Sequence, residues 1–179
     1  DAALAAGQRV FGENRVQEAQ AHWRDRRDRY PDLELRLIGP LQTNKAAEAV
    51  ALFDVIETLD REKLARSLRK AMDEQGCSPR LYVQVNTGEE DQKAGVLPAE
   101  LPAFVERMRS EYEFQIAGLM CIPPVVEPAG LHFALLARLA RDSGIEALSM
   151  GMSEDYATAI GLGATSVRVG TGFFGPRES

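Results

Sequence analysis

Two turns in the last third of the sequence contain residues that could together bind a phosphate group. The first ends the predicted strand Ser149–Met152 and leads into Ser153, where a helix is predicted to begin. The second is Gly170-Thr171-Gly172, which follows the predicted strand Ser166–Val169. Turns of this kind direct backbone N–H groups and hydroxyls towards one point, and that arrangement binds phosphate. Ser153 has a simpler alternative role as the N-cap of its helix.

Arg168 is placed one residue before the end of the second strand, beside this predicted phosphate site. It could form an ordinary surface salt bridge. An unpaired arginine inside an apolar strand is costly, however, so a buried partner or a ligand is expected. Arg168 could therefore contact whatever group is attached to the phosphate.

Residues for other kinds of chemistry are few. Cys121 follows a predicted strand, but no His or Asp lies at a spacing suggestive of a nucleophile, so packing in the core is the favoured interpretation. His22 and His132 both fall within predicted helices, and the sequence has no HxxH or CxxC pattern. We therefore predict neither a catalytic residue nor a metal site.

Composition and charge limit the kinds of protein and partner. The 179 residues, 45% of them hydrophobic, suffice for one globular domain, which we predict to span residues 1–179. A net charge of −6 argues against nucleic acid or an anionic membrane as the main partner. No apolar run approaches membrane-spanning length, the N-terminus does not resemble a signal peptide, and two cysteines are too few for a disulfide framework. These features predict a cytoplasmic protein.

Strands and helices alternate along the whole sequence, which predicts an α/β protein with a parallel sheet. The predicted strands are Arg9–Gly12, Glu34–Ile38, Val55–Thr58, Leu81–Asn86, Gln115–Met120, Ser149–Met152 and Ser166–Val169. An open doubly wound sheet is one candidate architecture. Nearly every strand ends in polar or Gly-rich residues, however, and in a barrel all these ends meet at one mouth. A (β/α)8 barrel of the TIM type is therefore favoured, with its first strand absent from the sequence as given.

Six short motifs occur in an order and at spacings that resemble one protein family. They are Phe11-Gly12-Glu13-Asn14 with Gln17-Glu18, the run from Leu37 to Lys45, Gln84-Val85-Asn86, Gly118-Leu119-Met120, the run from Leu148 to Ser153, and Arg168-Val169-Gly170-Thr171. Together they are similar to the pyridoxal phosphate homeostasis proteins, which are single-domain relatives of the alanine racemase barrel. The resemblance covers nearly the whole chain.

The resemblance implies a barrel that holds pyridoxal 5′-phosphate (PLP) at its C-terminal mouth. In the family, a lysine at the end of the first strand binds the cofactor as a Schiff base. None of the four lysines in this sequence, Lys45, Lys63, Lys70 and Lys93, is in the matching place. We therefore expect the strand that carries this lysine to precede Asp1.

The resemblance assigns Ser153, Gly170 and Thr171 to the phosphate of the cofactor. It places Arg168 against the pyridine nitrogen. An arginine stays cationic, so it should leave that nitrogen unprotonated. An unprotonated ring is a poor electron sink and disfavours the carbanion chemistry typical of PLP enzymes. A carrier of the cofactor is therefore favoured over a catalyst.

Three further residues are predicted to contact the cofactor. Asn14 follows a predicted strand and Asn86 ends one, so both could hydrogen-bond the ring or its hydroxyl, while Met152 would pack against the ring. Asn14 could instead cap the helix that starts at Val16.

These features predict a non-enzymatic protein that binds PLP and supplies or buffers it inside the cell, acting as a monomer with PLP-dependent apoenzymes as partners. The alternative is a PLP-dependent amino-acid racemase on the same barrel. Alanine racemases take a catalytic tyrosine from a separate C-terminal domain, which we do not expect in this chain. A third alternative, a phosphosugar enzyme, would need a pair of acid/base residues at strand ends, and only Glu13 stands out.

Overall fold

Seven short strands, each followed by a helix, form the framework of this protein. The computed structural model describes residues 1–175, so residues 176–179 of the predicted domain lie outside the described part. The strands are β1 (Val10–Glu13), β2 (Glu34–Leu37), β3 (Val55–Leu59), β4 (Arg80–Val85), β5 (Ile116–Cys121), β6 (Ala147–Met152) and β7 (Ser166–Arg168). The α-helices are α1 (Ala2–Ala5), α2 (Val16–Arg29), α3 (Ala46–Leu52), α4 (Glu62–Gln75), α5 (Leu101–Ser110), α6 (Ala129–Asp142), α7 (Tyr156–Gly161) and α8 (Thr171–Phe174).

Each strand pairs in parallel with the next strand along the chain, from β1 to β7. Within residues 1–175, β1 pairs only with β2 and β7 pairs only with β6. Arg36 Nη1 on β2 nevertheless lies 3.4 Å from Ser166 Oγ on β7, so the sheet curls until its two edges nearly meet. The structure is thus a nearly closed barrel, and the predicted α/β barrel of the TIM type is confirmed.

The two faces of the strands have different surroundings. In β2, Leu35 and Leu37 are fully buried and belong to the apolar core between the strands and the helices. Glu34 and Arg36 alternate with them and point to the opposite face, as the two-residue period of a strand requires. Arg36 contacts residues of β3 and β7 from this face, so it lies inside the barrel. The interior of the barrel therefore contains charged groups, while the apolar core lies outside it.

The helix after β6 begins later than predicted. Residues 153–155 form a turn, in which the backbone N–H of Met152 donates to Asp155 Oδ1 over 2.6 Å. The helix α7 starts only at Tyr156, with Asp155 at its N-cap. The prediction that Ser153 opens this helix is therefore wrong, because the Met152–Asp155 bond stabilises an intervening turn. The hydroxyl of Ser153 is therefore available for another role.

None of the helices within residues 1–175 is long and apolar enough to cross a membrane.

Candidate functional site

The turn that follows β6 meets the start of α8, the short helix that follows β7, at the C-terminal end of the barrel. Thr171 and Gly172 thus begin a helix in place of the predicted turn. Ser153 Oγ accepts a hydrogen bond from the backbone N–H of Gly172 over 3.0 Å. Thr171 Oγ1 donates to the same oxygen over 3.2 Å. Two hydroxyls and one backbone N–H from these two segments therefore lie close to one point. The structure brings the residues of the two predicted turns together, and their binding of a phosphate stays a prediction.

These groups have the chemistry that a phosphate requires. Ser153 is partly exposed, and Thr171 and Gly172 are exposed, so a ligand can reach all three. A Cβ on Gly170 would meet no heavy atom within 4 Å beyond its chain neighbours, so the approach beside that residue is open. Hydroxyls and N–H groups can each donate to a phosphate oxygen. We call Ser153, Thr171 and Gly172 the phosphate cradle, and its donors fit the phosphate of PLP.

Arg168 is fixed by two hydrogen bonds to neighbouring strands. Its Nη1 donates to Ser149 Oγ on β6 over 2.7 Å, and its Nη2 donates to the carbonyl oxygen of Cys121 on β5 over 2.7 Å. Burial lowers the pKa of the Arg168 guanidinium, and the negative charge of Glu57 opposes that effect. An arginine stays cationic at neutral pH even so. Arg168 is therefore a fixed cationic donor on the strand that leads into the phosphate cradle.

Glu57 on β3 connects Arg168 to the opposite side of the barrel. Its side chain is fully buried. Its Oε1 accepts a hydrogen bond from Arg36 Nη1 over 3.0 Å, and its Oε2 accepts one from the hydroxyl of Ser149 over 2.5 Å. Burial alone would lower the pKa of Arg36, but hydrogen bonds to Glu34 and Glu57 raise it overall. We call Arg36, Glu57, Ser149 and Arg168 the interior polar chain.

Sequence patterns did not identify three members of the interior polar chain as parts of a site. Glu57 is the single charged residue in the apolar strand Val55–Leu59, and that isolation was the available signal. Arg36 lies in an alternating strand whose polar face is equally compatible with exposure to solvent. The sequence predicts a strand at Ser149 but no role for its side chain, since a lone serine carries little information.

Asn86 is held in the loop that follows β4. Its Nδ2 donates to the carbonyl oxygens of Glu90 and Lys93 over 2.9 and 3.4 Å. Its Oδ1 accepts a hydrogen bond from the backbone N–H of Glu90 over 3.3 Å. The residue is only 6% exposed, and the structure does not bring it into the phosphate cradle. Any contact with a ligand would require Asn86 to exchange one of these partners.

Asn14 and Met152 lie on opposite sides of the opening in the sheet. Asn14 is exposed directly after β1. The N-cap of α2 is Arg15, without a side-chain cap bond, so the alternative of Asn14 as the helix cap is not observed. Met152 ends β6, is 41% exposed and pairs with Arg168 across the sheet. The structure thus brings Met152 beside Arg168, while Asn14 follows β1, the strand at the other edge of the sheet.

Two residues considered for other chemistry have structural roles instead. Cys121 is fully buried, and burial raises the pKa of its thiol to about 12, although the charge of Arg168 opposes this. A neutral thiol of this kind is not a nucleophile at physiological pH, and its predicted packing in the core is confirmed. Glu13 Oε1 accepts a hydrogen bond from Trp23 Nε1 over 2.7 Å and lies 2.9 Å from His22 Nδ1, both on α2. Glu13 is thus held on the helical side of the sheet.

In the part of the chain that the structure describes, no group of three or more His, Cys, Asp or Glu side chains is arranged to hold a metal ion.

Comparisons with known proteins agree with this geometry. Residues 1–178 match the family model of the alanine racemase N-terminal domain. The pyridoxal phosphate homeostasis protein of Pseudomonas aeruginosa is 41% identical, over 98% of this chain and 78% of that protein. The protein of the same name from Vibrio cholerae is 40% identical, over 98% of this chain and 79% of its own length.

Solved structures show the same relationship. The structure of PipY from Synechococcus elongatus with PLP bound is 42% identical and superposes with a TM-score of 0.85, covering 97% of this chain and 85% of that one. Alanine racemase of Clostridium difficile has the same fold at 14% identity, with a TM-score of 0.74 over 98% of this chain and 47% of that enzyme. The chain therefore belongs to the alanine racemase N-terminal domain family and, within it, to the pyridoxal phosphate homeostasis proteins.

Proposed function

We propose that this protein binds PLP at the C-terminal mouth of its barrel and acts without catalysis in the homeostasis of that cofactor. The observation that carries the proposal is the position of a fixed guanidinium, Arg168, on the strand that leads directly into the phosphate cradle. A phosphate and a ring nitrogen are the two polar ends of PLP. The relatives named for this role, and the PLP-bound structure of PipY, support the assignment.

The phosphate cradle, with Gly170 beside it, would bind the phosphate through its hydroxyls and N–H groups. Arg168 would donate to the pyridine nitrogen. Asn14 and Met152 are the proposed further contacts with the ring, and Asn86 joins them if it releases a partner in its loop. The lysine that the family uses has no counterpart among the lysines of this sequence, so the contacts proposed for these residues are noncovalent.

The residues around Arg168 favour a carrier over an enzyme. Bound PLP supplies an electron sink for amino-acid chemistry, and the sink is strongest when the ring nitrogen is protonated. Arg168 can donate a hydrogen bond to that nitrogen, but it does not release its own proton at neutral pH. A site built around this arginine therefore holds the ring in its weaker electronic form.

Equilibrium titration with PLP, followed by absorbance, tests the binding site. Charge-assisted hydrogen bonds contribute about 1.5–3 kcal/mol each, so we expect Arg168→Ala and Ser153→Ala to weaken binding about tenfold or more. Arg138→Ala and Ser67→Ala are matched controls, because Arg138 pairs with Asp142 on α6 and Ser67 bonds within α4. Both controls should bind as the wild type does. Wild-type affinity in both site variants would contradict the site assignment.

A racemisation assay with the loaded protein tests the lack of catalysis. We expect no conversion of L-amino acids beyond that given by free PLP. Turnover of about 1 s⁻¹ or faster, the range of ordinary enzymes, would favour the racemase alternative instead.

We also infer that the protein acts in the cytoplasm as a monomer and passes PLP to PLP-dependent apoenzymes. Incubation of the loaded protein with such an apoenzyme should restore its activity faster than the same concentration of free PLP restores it. Restoration at the rate given by free PLP alone would contradict direct transfer. Sedimentation of the loaded protein at one subunit mass would support the monomer, and sedimentation at twice that mass would contradict it.

A further inference from the structure

The interior polar chain joins four side chains into a single hydrogen-bonded path across the barrel. Arg36 and Arg168 stand at its two ends, on β2 and β7. Glu57 and Ser149 lie between them, and both are fully buried. The path runs through distances of 3.0, 2.5 and 2.7 Å, all within the range of direct hydrogen bonds.

The direction of every hydrogen bond in this path is determined by the chemistry of its ends. A guanidinium can only donate, and a carboxylate can only accept. The single proton of the Ser149 hydroxyl must therefore point to Glu57, which leaves the lone pairs of that oxygen facing Arg168. A rotation of the hydroxyl would lose one bond and bring its proton against the Arg168 N–H. Glu57 thus fixes the Ser149 hydroxyl in the one orientation that accepts from Arg168.

The same contacts leave part of Arg168 available. A guanidinium carries five N–H groups. Ser149 Oγ and the Cys121 carbonyl take one from each terminal nitrogen, and Arg168 has no other hydrogen-bond partner within residues 1–175. The rotation of the guanidinium plane is therefore set by two fixed acceptors on β5 and β6, while the remaining N–H groups can meet a ligand.

We propose that Glu57 and Ser149 are positioning residues, which orient the Arg168 guanidinium for its contact with the ring nitrogen of PLP. This inference rests on the proposed function and adds two residues that never touch the cofactor. Glu57 acts through Ser149, and Ser149 acts through Arg168. Their effect should therefore be confined to the ring nitrogen, and should not extend to the phosphate.

Binding of PLP and of its deaza analogue, which has C–H in place of the ring nitrogen, tests this proposal. The wild type should prefer PLP by about tenfold, because the analogue cannot accept from Arg168. In Ser149→Ala and in Glu57→Gln the preference should fall to about twofold to threefold. Ser166→Ala is the matched control, because it also removes a serine hydroxyl close to Arg168 in the sequence. The described hydrogen-bond partner of that hydroxyl is Arg36, at 3.4 Å. This variant should keep the wild-type preference.

The ratio of the two affinities separates positioning from a general structural effect. Loss of packing or partial unfolding would weaken the binding of both ligands equally and leave the preference unchanged. An unchanged preference in Ser149→Ala would therefore overturn the proposal. Glu57→Gln, which leaves Arg36 without its buried counter-charge, could fold poorly, so the smaller change at Ser149 decides the outcome. A wild type that binds PLP without preferring it also overturns the proposal. A wild type that binds neither ligand contradicts the proposed function itself.

Discussion

Substitution of Gly39 by alanine is predicted to destabilise the protein strongly. Gly39 follows β2 and lies against the backbone of Asn14, which follows β1. A Cβ at position 39 would lie 2.2 Å from the Asn14 carbonyl oxygen, 2.7 Å from its Cα and 2.8 Å from its carbonyl carbon. Ordinary contacts of a Cβ begin near 3.4 Å, so the oxygen is more than about 1 Å too close.

Relief of this overlap requires movement of the backbone, because all three atoms belong to the main chain of Asn14 and none can rotate away. Overpacking of a well-filled site costs about 1–3 kcal/mol. A clash with backbone belongs at the upper end of that range, so we expect Gly39→Ala to lower the free energy of unfolding by about 3 kcal/mol. The ends of β1 and β2 would separate and carry Asn14 with them.

Urea unfolding followed by circular dichroism measures this loss. Gly161→Ala is the matched control, because a Cβ there would meet nothing within 4 Å, and Gly161 ends the helix α7. The control should be unchanged or up to about 1 kcal/mol more stable, as alanine is the better helix former. A change in Gly39→Ala of less than about 0.5 kcal/mol would refute the reasoning, since it would mean that the two loops are not packed together.

Three further predictions concern polar and titratable side chains. Burial alone would raise the pKa of Glu34, but hydrogen bonds from Arg36 and Arg80 lower it below its ordinary value of 4.5. The ionised carboxylate therefore stabilises the fold above that pH. This contribution is lost as the pH falls through the lower pKa of the folded state. Glu34→Gln should therefore be less stable than the wild type at about pH 7, with the difference shrinking towards about pH 3 in urea titrations; a constant difference would contradict this. The exposed thiol of Cys77 should react with Ellman's reagent in the folded protein, whereas Cys121 should react only after unfolding, and two rapid reactions would disagree with its burial. Thr58 Oγ1 is buried without a hydrogen-bond partner among residues 1–175, so Thr58→Val should raise the free energy of unfolding by about 1 kcal/mol, and a loss of stability on calorimetry would indicate a partner for that hydroxyl.

Local patterns predicted the elements of this fold well. The predicted start of α2 at Val16 is the one observed, and the predicted strands overlap all seven strands of the barrel. The start of α7 was wrong, because Ser153 and Asp155 are both good cap residues and the choice between them depends on a bond to the Met152 backbone. Sequence alone does not rank two such candidates that lie two residues apart.

The interior of the barrel was the part that sequence patterns did not predict. An alternating strand such as β2 has one polar face, and that face is equally compatible with solvent and with a polar interior. Glu57 and Ser149 are 92 residues apart in sequence, so nothing local connects them. The phosphate cradle could be predicted because each of its two segments has a recognisable composition. Arg168 was identified by its position, while its partners required the closure of the barrel.

A crystal structure of the protein with PLP is the most direct test of the central claim. The account predicts that the phosphate lies within hydrogen-bonding distance of Ser153 Oγ, Thr171 Oγ1 and the Gly172 N–H, and that the ring nitrogen faces the Arg168 guanidinium. Density for PLP at another place, with the phosphate cradle and Arg168 making no contact with it, would contradict the account.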